Sequence, residues 1–178
     1  MSDAAPRSER PLARRSFLTP VGELTALASD KGLVALVFGP RVDESLGRLH
    51  RHGRTVELGH RSSPHIERLS EWMDAYFHKR WRDLPYVPLD LVGTPFERQV
   101  WQSLRLIGPG QLTSYGHLAD VLPDHTAARA IGQAVGANPV ALLVGCHRVL
   151  SANGSLTGYR GGLSAKAWLL RHEGSMML

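Results

Sequence analysis

Residues 114–136, SYGHLADVLPDHTAARAIGQAVG, decide the architecture of this chain. Ser114 stands in the N-cap position of a short helix over residues 115–121. Pro123-Asp124-His125 turns the chain, and Thr126 caps a further helix from 127 to about 136. Two short helices around a tight turn form the helix-turn-helix pattern. Upstream, residues 95–107 place Phe96, Val100, Trp101, Leu104 and Ile107 on one helical stripe, which Gly108-Pro109-Gly110 stops. Downstream, Asn138-Pro139 turns again. The apolar run VALLV, residues 140–144, is short enough for a strand or a buried core segment. Residues 151–162 hold four glycines and predict a hairpin or wing, and residues 164–172, with Trp168 and Leu169, predict a last helix.

The first half has a different character. Residues 1–13 are polar, with two prolines, and are expected to be a loose tail. From Arg14 short apolar runs are punctuated by Pro20-Val21-Gly22 and Asp30-Lys31-Gly32, the second a hairpin turn between TALAS and LVALVF. VDESLGRLHRHG carries a helical pattern. Ile66, Leu69, Trp72, Met73 and Tyr76 recur at three and four, an amphipathic helix with a Ser-Pro start. The expected organisation is a tail over 1–13, a small α/β domain over 14–84, a linker over 85–94, and a mostly α domain with a winged helix-turn-helix over 95–178.

Composition narrows the function classes. The chain has 178 residues, 43% apolar and 21% charged, which allows a packed core and argues against wholesale disorder. One cysteine excludes an internal disulfide framework and any metal site needing two thiolates. No apolar run approaches the roughly 18 residues of a membrane span, and the N-terminal residues lack the apolar core of a signal peptide. The expectation is a cytoplasmic protein with no membrane partner. Between His125 and His172 lie five basic residues, Arg129, Arg148, Arg160, Lys166 and Arg171, and no acidic one. A positive field over a helix-turn-helix points to a phosphate backbone as partner. A solvated face with a modest basic bias explains the same count.

Cys146 follows the apolar run and precedes His147 and Arg148. A lone cysteine is most often an inert, buried small hydrophobe, but nearby positive charge or a base turns a thiol into a nucleophile. Adjacent side chains usually point apart, so a strained turn is needed to bring His147 toward the thiol. Glu173 is the only carboxylate after Asp124 that can orient it. At a helix C-terminus an acid stands against the dipole and needs some other reason to be there. Arg129 lies on the first turn of the second helix beside Ala127 and Ala128, small residues that allow close approach to a duplex; it is equally an ordinary exposed arginine. Tyr115 bonds a phosphate or packs in the core, and Asn138 is a site residue or simply a turn residue.

In this order the residues carry a resemblance. The stretches GTPFERQVWQSLRLIGPGQLTSYGHLAD and AARAIGQAVGANPVALLVGCHRVLSANGSLTGYRGGLSAKAWLLRHEG resemble the C-terminal domain of the O6-alkylguanine-DNA alkyltransferases, the suicide repair methyltransferases. Residues 14–82 resemble that family's ribonuclease-H-like N-terminal domain more loosely. The cysteine motif with its downstream YxGG and LLxHEG elements is specific. The resemblance implies that Cys146 is the alkyl acceptor, that His147 deprotonates it through a water, and that Glu173 orients His147. It makes Arg129 the finger that enters the stack, with Thr126, Ala127 and Ala128 beside it on DNA. Tyr115 becomes the residue that turns the 3′ phosphate and lines the pocket, and Asn138 the hinge. Val149, Tyr159 and Arg160 shape the guanine pocket, supported by Lys166.

The implied reaction is one irreversible transfer from O6-alkylguanine in double-stranded DNA to Cys146 after base flipping, by a monomer with no cofactor and no metal. O4-alkylthymine is a further substrate the resemblance allows. One residue departs from the pattern: the family carries proline before the cysteine, and here it is Gly145. With φ near −65° tolerated there, proline in place of Gly145 is expected to be accommodated. Three other readings are an alkyltransferase-like damage binder, against which Cys146 argues, a cysteine hydrolase built on Cys146, His147 and Glu173, and a transcription regulator, which leaves the cysteine motif unexplained.

Overall fold

The computed structural model describes residues 11–54, 56–59, 62–122 and 128–176. The first half is a four-stranded sheet with two helices. Strand β1 (Leu12–Thr19) turns at Pro20-Val21 into β2 (Gly22–Ala28), and β2 turns at residues 29–32 into β3 (Leu33–Phe38). Both pairs are antiparallel, and the short β4 (Leu58–Gly59) adds parallel to β1, giving the order β3-β2-β1-β4. β1 begins at Leu12, inside the segment expected as tail, because Leu12 and Ala13 are buried in the sheet.

Successive β2 residues serve opposite faces. Leu24 and Ala26 belong to the main core, which also takes Ile66, Leu69, Trp72, Met73 and Tyr76 of α2 (Pro64–Phe77). Leu27 faces the smaller core under α1 (Val42–Arg51) with Val42 and Leu49.

β3 would be an exposed sheet edge, a liability for pairing with other chains. Here the edge is occupied twice. The connection expected as a linker lies along it: Leu33 N–H donates to Pro88 O at 2.9 Å, and Asp90 N–H donates back to Leu33 O at 2.8 Å. Further along, Leu36 N–H donates to Pro139 O at 2.9 Å, and Ala141 N–H donates to Leu36 O at 2.8 Å. The sheet of the first half thereby holds the turn that leads to Cys146.

The second half is helical. α3 (Pro95–Arg105) opens with a capping box: Thr94 Oγ1 accepts from Glu97 N–H at 3.2 Å, and Glu97 returns a carboxylate to Thr94 N–H at 2.8 Å. Glu97 also pairs with Arg48 of α1. The expected stripe is the packed one, with Val100, Trp101 and Leu104 fully buried. The indole N–H of Trp101 donates to Ala134 O at 2.8 Å and ties α3 to α5 (Ala128–Gly136).

Ser114 caps α4 (Tyr115–Val121) as its position predicts, accepting from His117 N–H at 3.1 Å. Thr126 and Ala127, with the turn expected at Pro123-Asp124-His125, lie outside the described residues. Residues 113–114 (β5) pair in parallel with 149–150 (β6), on either side of the helix pair. α6 (Leu163–His172) is the last helix among the described residues. One continuous core joins the halves, running from Leu24 and Tyr76 through Trp101 and Ile131 to Leu169.

Two sequence expectations change in detail. Residues 140–144 are the buried core segment rather than the strand, and they form a turn. It makes a single bridge to Leu36, and Leu142 is held at φ 68°. That conformation is costly for a residue with a branched side chain, and full burial of Val140, Leu142 and Val144 offsets it. Residues 151–162 run as a loop rather than a paired hairpin, closed at its start by Ser151 N–H donating to Ser155 O at 3.3 Å. Among the described residues no helix is long and apolar enough to cross a membrane.

Candidate active site

The buried turn delivers the chain into a single 3-10 turn, Cys146–Arg148. Cys146 N–H donates to Val144 O at 2.7 Å, and Arg148 N–H donates to Gly145 O at 3.0 Å. With three residues per turn, the three side chains diverge by about a third of a circle each. Cys146 is half-buried and lines a pocket, while His147 and Arg148 are buried.

They meet Glu173, which caps the C-terminus of α6. Glu173 Oε1 accepts from Tyr76 Oη–H at 2.6 Å, His147 Nε2–H at 2.8 Å and Arg148 Nη2–H at 2.7 Å, and Oε2 accepts from Arg148 Nε–H at 2.9 Å. This is the other reason that an acid stands against the helix dipole: it answers a buried arginine. Burial alone would raise its pKa. The hydrogen bonds and charges of Arg148 and His147 outweigh that and hold Glu173 down at about 2. Burial and the neighbouring carboxylate push the Tyr76 phenol far up, so it is a permanent donor.

A carboxylate only accepts, so the His147 nitrogen facing it carries the hydrogen. Burial drives the His147 pKa down despite Glu173, so the ring is neutral at pH 7 with its proton on Nε2. Nδ1 is left with its lone pair, buried and without a hydrogen-bond partner among the described residues. The site thus contains an oriented, unprotonated base nitrogen next in sequence to the cysteine.

Asn138 organises the thiol. Its Oδ1 accepts from Val140 N–H at 2.9 Å, which fixes the amide orientation. Nδ2 then donates to Val144 O at 2.9 Å and to Cys146 Sγ at 3.0 Å. Burial pushes the thiol pKa up, while the Asn138 bond and the charges of Lys166 and Arg148 pull it down; the balance stays above the ordinary value. The resting group is a thiol, and it needs a base to become a nucleophile.

Lys166 is buried, donating to Val149 O at 2.7 Å and Thr157 O at 2.8 Å. Burial lowers its pKa and the Cys146 charge raises it. No carboxylate among the described residues bonds to it, so a thiolate at Cys146 is the anion it favours.

The pocket has a volume of about 340 Å³. Tyr115, Asn138, Cys146, Tyr159 and Arg160 line it, and the Tyr159 hydroxyl is buried without a partner among the described residues. Val149 does not line it: the side chain is in the core, and its contribution is the carbonyl that holds Lys166. Ala128 and Arg129 are exposed at the start of α5, outside the pocket lining.

The positive field expected over the helix-turn-helix is thinner than the sequence count implies. Of the five basic residues between His125 and His172, Arg148 and Lys166 are buried, and Arg160 is paired with Glu44. Arg129 and Arg171 remain exposed to solvent. Sequence reasoning missed Arg148 and Tyr76 as partners of Glu173, and missed Phe38, Arg41 and Glu44 as pocket wall. Burial marks Arg148 and Tyr76, and long-range placement marks the other three; no local signal carries either.

Fold and site together define a helix-turn-helix protein with a pocketed cysteine backed by a buried His-Glu-Arg cluster. The chain belongs to the 6-O-methylguanine DNA methyltransferase family: residues 95–175 match that family's DNA binding domain and residues 13–91 its ribonuclease-like domain. It is 38% identical to a methylated-DNA–protein-cysteine methyltransferase of Shigella flexneri, over 94% of this chain and 98% of that protein. A relative of the same description from Mycobacterium tuberculosis is 47% identical over 58% of this chain and 62% of its own. Among solved structures, the M. tuberculosis O6-methylguanine methyltransferase superposes with a TM-score of 0.71 at 35% identity, covering 92% of this chain and 93% of that one. The M. tuberculosis protein solved in complex with DNA gives 0.73 at 36% identity with the same coverage.

Gly145 yields a test. Its φ of −71° suits proline, and its N–H makes no hydrogen bond among the described residues. Space opposes the substitution, contrary to the expectation from φ: a Cβ there would stand 2.7 Å from Arg148 Nη1 and 3.0 Å from its Cδ. That guanidinium is pinned by Glu173 and by Ile107 O. Gly145→Pro should therefore destabilise by about 1–3 kcal/mol, the usual cost of overpacking. A melting temperature equal to or above the parent's would show that Arg148 moves aside freely.

Proposed function

We propose that this protein repairs DNA by direct reversal, moving the alkyl group of O6-alkylguanine onto Cys146 in a single irreversible event. The observation that carries this reading is Cys146 Sγ, lining the pocket and held by Asn138, on the same 3-10 turn as a neutral His147 whose Nδ1 has no hydrogen-bond partner among the described residues. His147 takes the thiol proton through a bridging water, and Glu173 stabilises the imidazolium that results. The thiolate attacks the alkyl carbon, the S–C bond forms and the C–O bond breaks. The guanine anion that leaves needs one proton, and the one taken from the thiol balances it. The thioether does not hydrolyse, so each molecule acts once. No step calls for a metal or cofactor.

The base reaches the pocket by leaving the stack, at a cost of roughly a few kcal/mol. Arg129, exposed on the first turn of α5, fills the vacated space, with Thr126, Ala127 and Ala128 against the duplex. Tyr115 turns the target nucleotide, and the free Tyr159 hydroxyl meets the flipped base. Asn138 ties α5 to the active turn. The helical unit over 95–178 does the chemistry on double-stranded DNA as a monomer, and the α/β unit over 14–84 supports it. O4-alkylthymine is a second, lesser substrate. A nucleophilic free thiol belongs in a reducing compartment, so the protein works in the cytoplasm.

Incubation with an oligonucleotide containing O6-methylguanine should leave the methyl group on the peptide that contains Cys146. Cys146→Ser should lose transfer and keep DNA binding; transfer that survives in Cys146→Ser, or more than one turnover per chain, would overturn the mechanism. Arg129→Ala should slow repair of duplex DNA about tenfold or more, since the finger offsets the flipping cost, and change reaction with free O6-alkylguanine less than about twofold. Equal losses on both substrates would make Arg129 structural.

A further inference from the structure

Part of the pocket wall comes from the loop 158–161, Gly-Tyr-Arg-Gly, through Gly158, Tyr159 and Arg160. Little in the loop itself fixes its shape. Gly158 sits at φ 31° and Gly162 at φ 87°. At its start Lys166 holds Thr157 O at 2.8 Å, from inside the second half. Gly162 N–H donates to Tyr159 O at 2.9 Å, and the His147 ring meets the Tyr159 ring at 6.4 Å; the other anchors come from residues more than a hundred positions away. Phe38, at the end of β3, meets the Tyr159 ring edge-on at 5.9 Å and lies under Gly161, where a Cβ would collide with the phenyl ring. Arg41 Nε–H donates to Arg160 O at 3.2 Å, and Arg41 Nη1–H donates to Glu44 Oε2 at 3.0 Å. The other oxygen of Glu44 accepts from Arg160 Nη1–H.

Glu44 thus bridges two arginines, one from each half of the chain, and closes a ring that includes the backbone of the loop. The sequence between His125 and His172 offers Arg160 no carboxylate, and the one it pairs with comes from the first half. The placement is informative too. Phe38, Arg41, Glu44 and Arg160 line the pocket on one side and an open cleft on the other. They are the partition between the two spaces.

We propose that Glu44 and Arg41 are positioning residues that clasp the 158–161 loop to the first half and so set the size of the group that reaches Cys146. The proposal rests on the reading of this pocket as the alkyl-acceptor site. With the clasp closed, the partition confines a small substituent next to the thiol. With it released, the pocket joins the cleft and a bulkier substituent is admitted. The ribonuclease-like half, which contributes no reacting group, then acts on specificity through two side chains. The ion pairs are partly exposed, with side-chain exposures of 39% for Arg41, 46% for Glu44 and 44% for Arg160. Their strength is therefore modest and falls with salt.

The test uses the full chain carrying Glu44→Gln, which keeps the shape and removes the charge, with Arg41→Gln as the second variant. Two free bases, O6-methylguanine and O6-benzylguanine, report on the pocket without DNA binding. In both variants the benzyl-to-methyl rate ratio should rise about two- to fivefold, the range expected from losing partly exposed ion pairs. Raising the salt on the parent should move its ratio the same way. Hydrogen exchange of the peptide spanning 157–162 in substrate-free protein should quicken in the variants. An unchanged ratio with unchanged exchange overturns the clasp, as does a parallel loss of both rates with exchange unchanged. If neither base alkylates Cys146 in the parent, the functional reading fails. Exchange then decides the clasp by itself: quickening supports it and no change overturns it.

Discussion

One buried carboxylate holds this structure together. Glu173 ends the last helix, and onto its two oxygens converge Tyr76 from α2, His147 and Arg148 from the active turn. Three distant segments of chain are thereby fixed relative to one another at a point closed to solvent. Removing one member would leave the others charged or polar and unpaired, a loss of about 3–5 kcal/mol for a broken buried pair. The cluster also ties stability to pH. A carboxylate held down at about 2 stabilises the folded state above its unfolded value near 4.3, and that stabilisation is lost as pH falls toward 2.

The same contact that fixes the fold prepares the chemistry. By accepting from Nε2–H, Glu173 decides which nitrogen of His147 is free, and by caging Arg148 it supplies a compensating charge without exposing it. The thiol is held in waiting. Burial keeps it protonated, while Asn138, Lys166 and Arg148 are placed to favour the anion once it forms. A cysteine that acts once gains from this arrangement, since a standing thiolate would be open to oxidation before it met its substrate. The first half of the chain contributes Tyr76 to the cluster, the β3 edge that seats the active turn, and the outer wall of the pocket.

Much of this was legible in the sequence where local rules operate. The Ser114 cap, the stripe of Val100, Trp101 and Leu104, the hairpin at residues 29–32 and the helix opened by Ser63-Pro64 follow from spacing and turn chemistry, and all are observed. Cys146 with His147 and Glu173 stood out because a lone thiol, an imidazole and a misplaced acid are locally anomalous. What was not legible depends on long-range burial. Arg148 looks like surface charge until Glu173 is found beside it, and Tyr76 looks like one more apolar residue of α2 until its hydroxyl is followed across 97 positions. The turn over 140–144 reads as strand or core because its residues are apolar; its conformation comes from the Leu36 bridge, which no local pattern encodes. Val149 was assigned to the pocket from its place near Cys146, yet the turn directs its side chain into the core.

The central claim is that Glu173 fixes His147 as a neutral ring with its hydrogen on Nε2 and a free lone pair on Nδ1. Nitrogen-15 NMR of the imidazole side chains at pH 7 measures this directly, with the His147 signals assigned by their absence in His147→Gln. The account predicts a protonated, hydrogen-bonded Nε2 and an unprotonated Nδ1 in the resting protein. A proton on Nδ1, or an imidazolium at that pH, would contradict it.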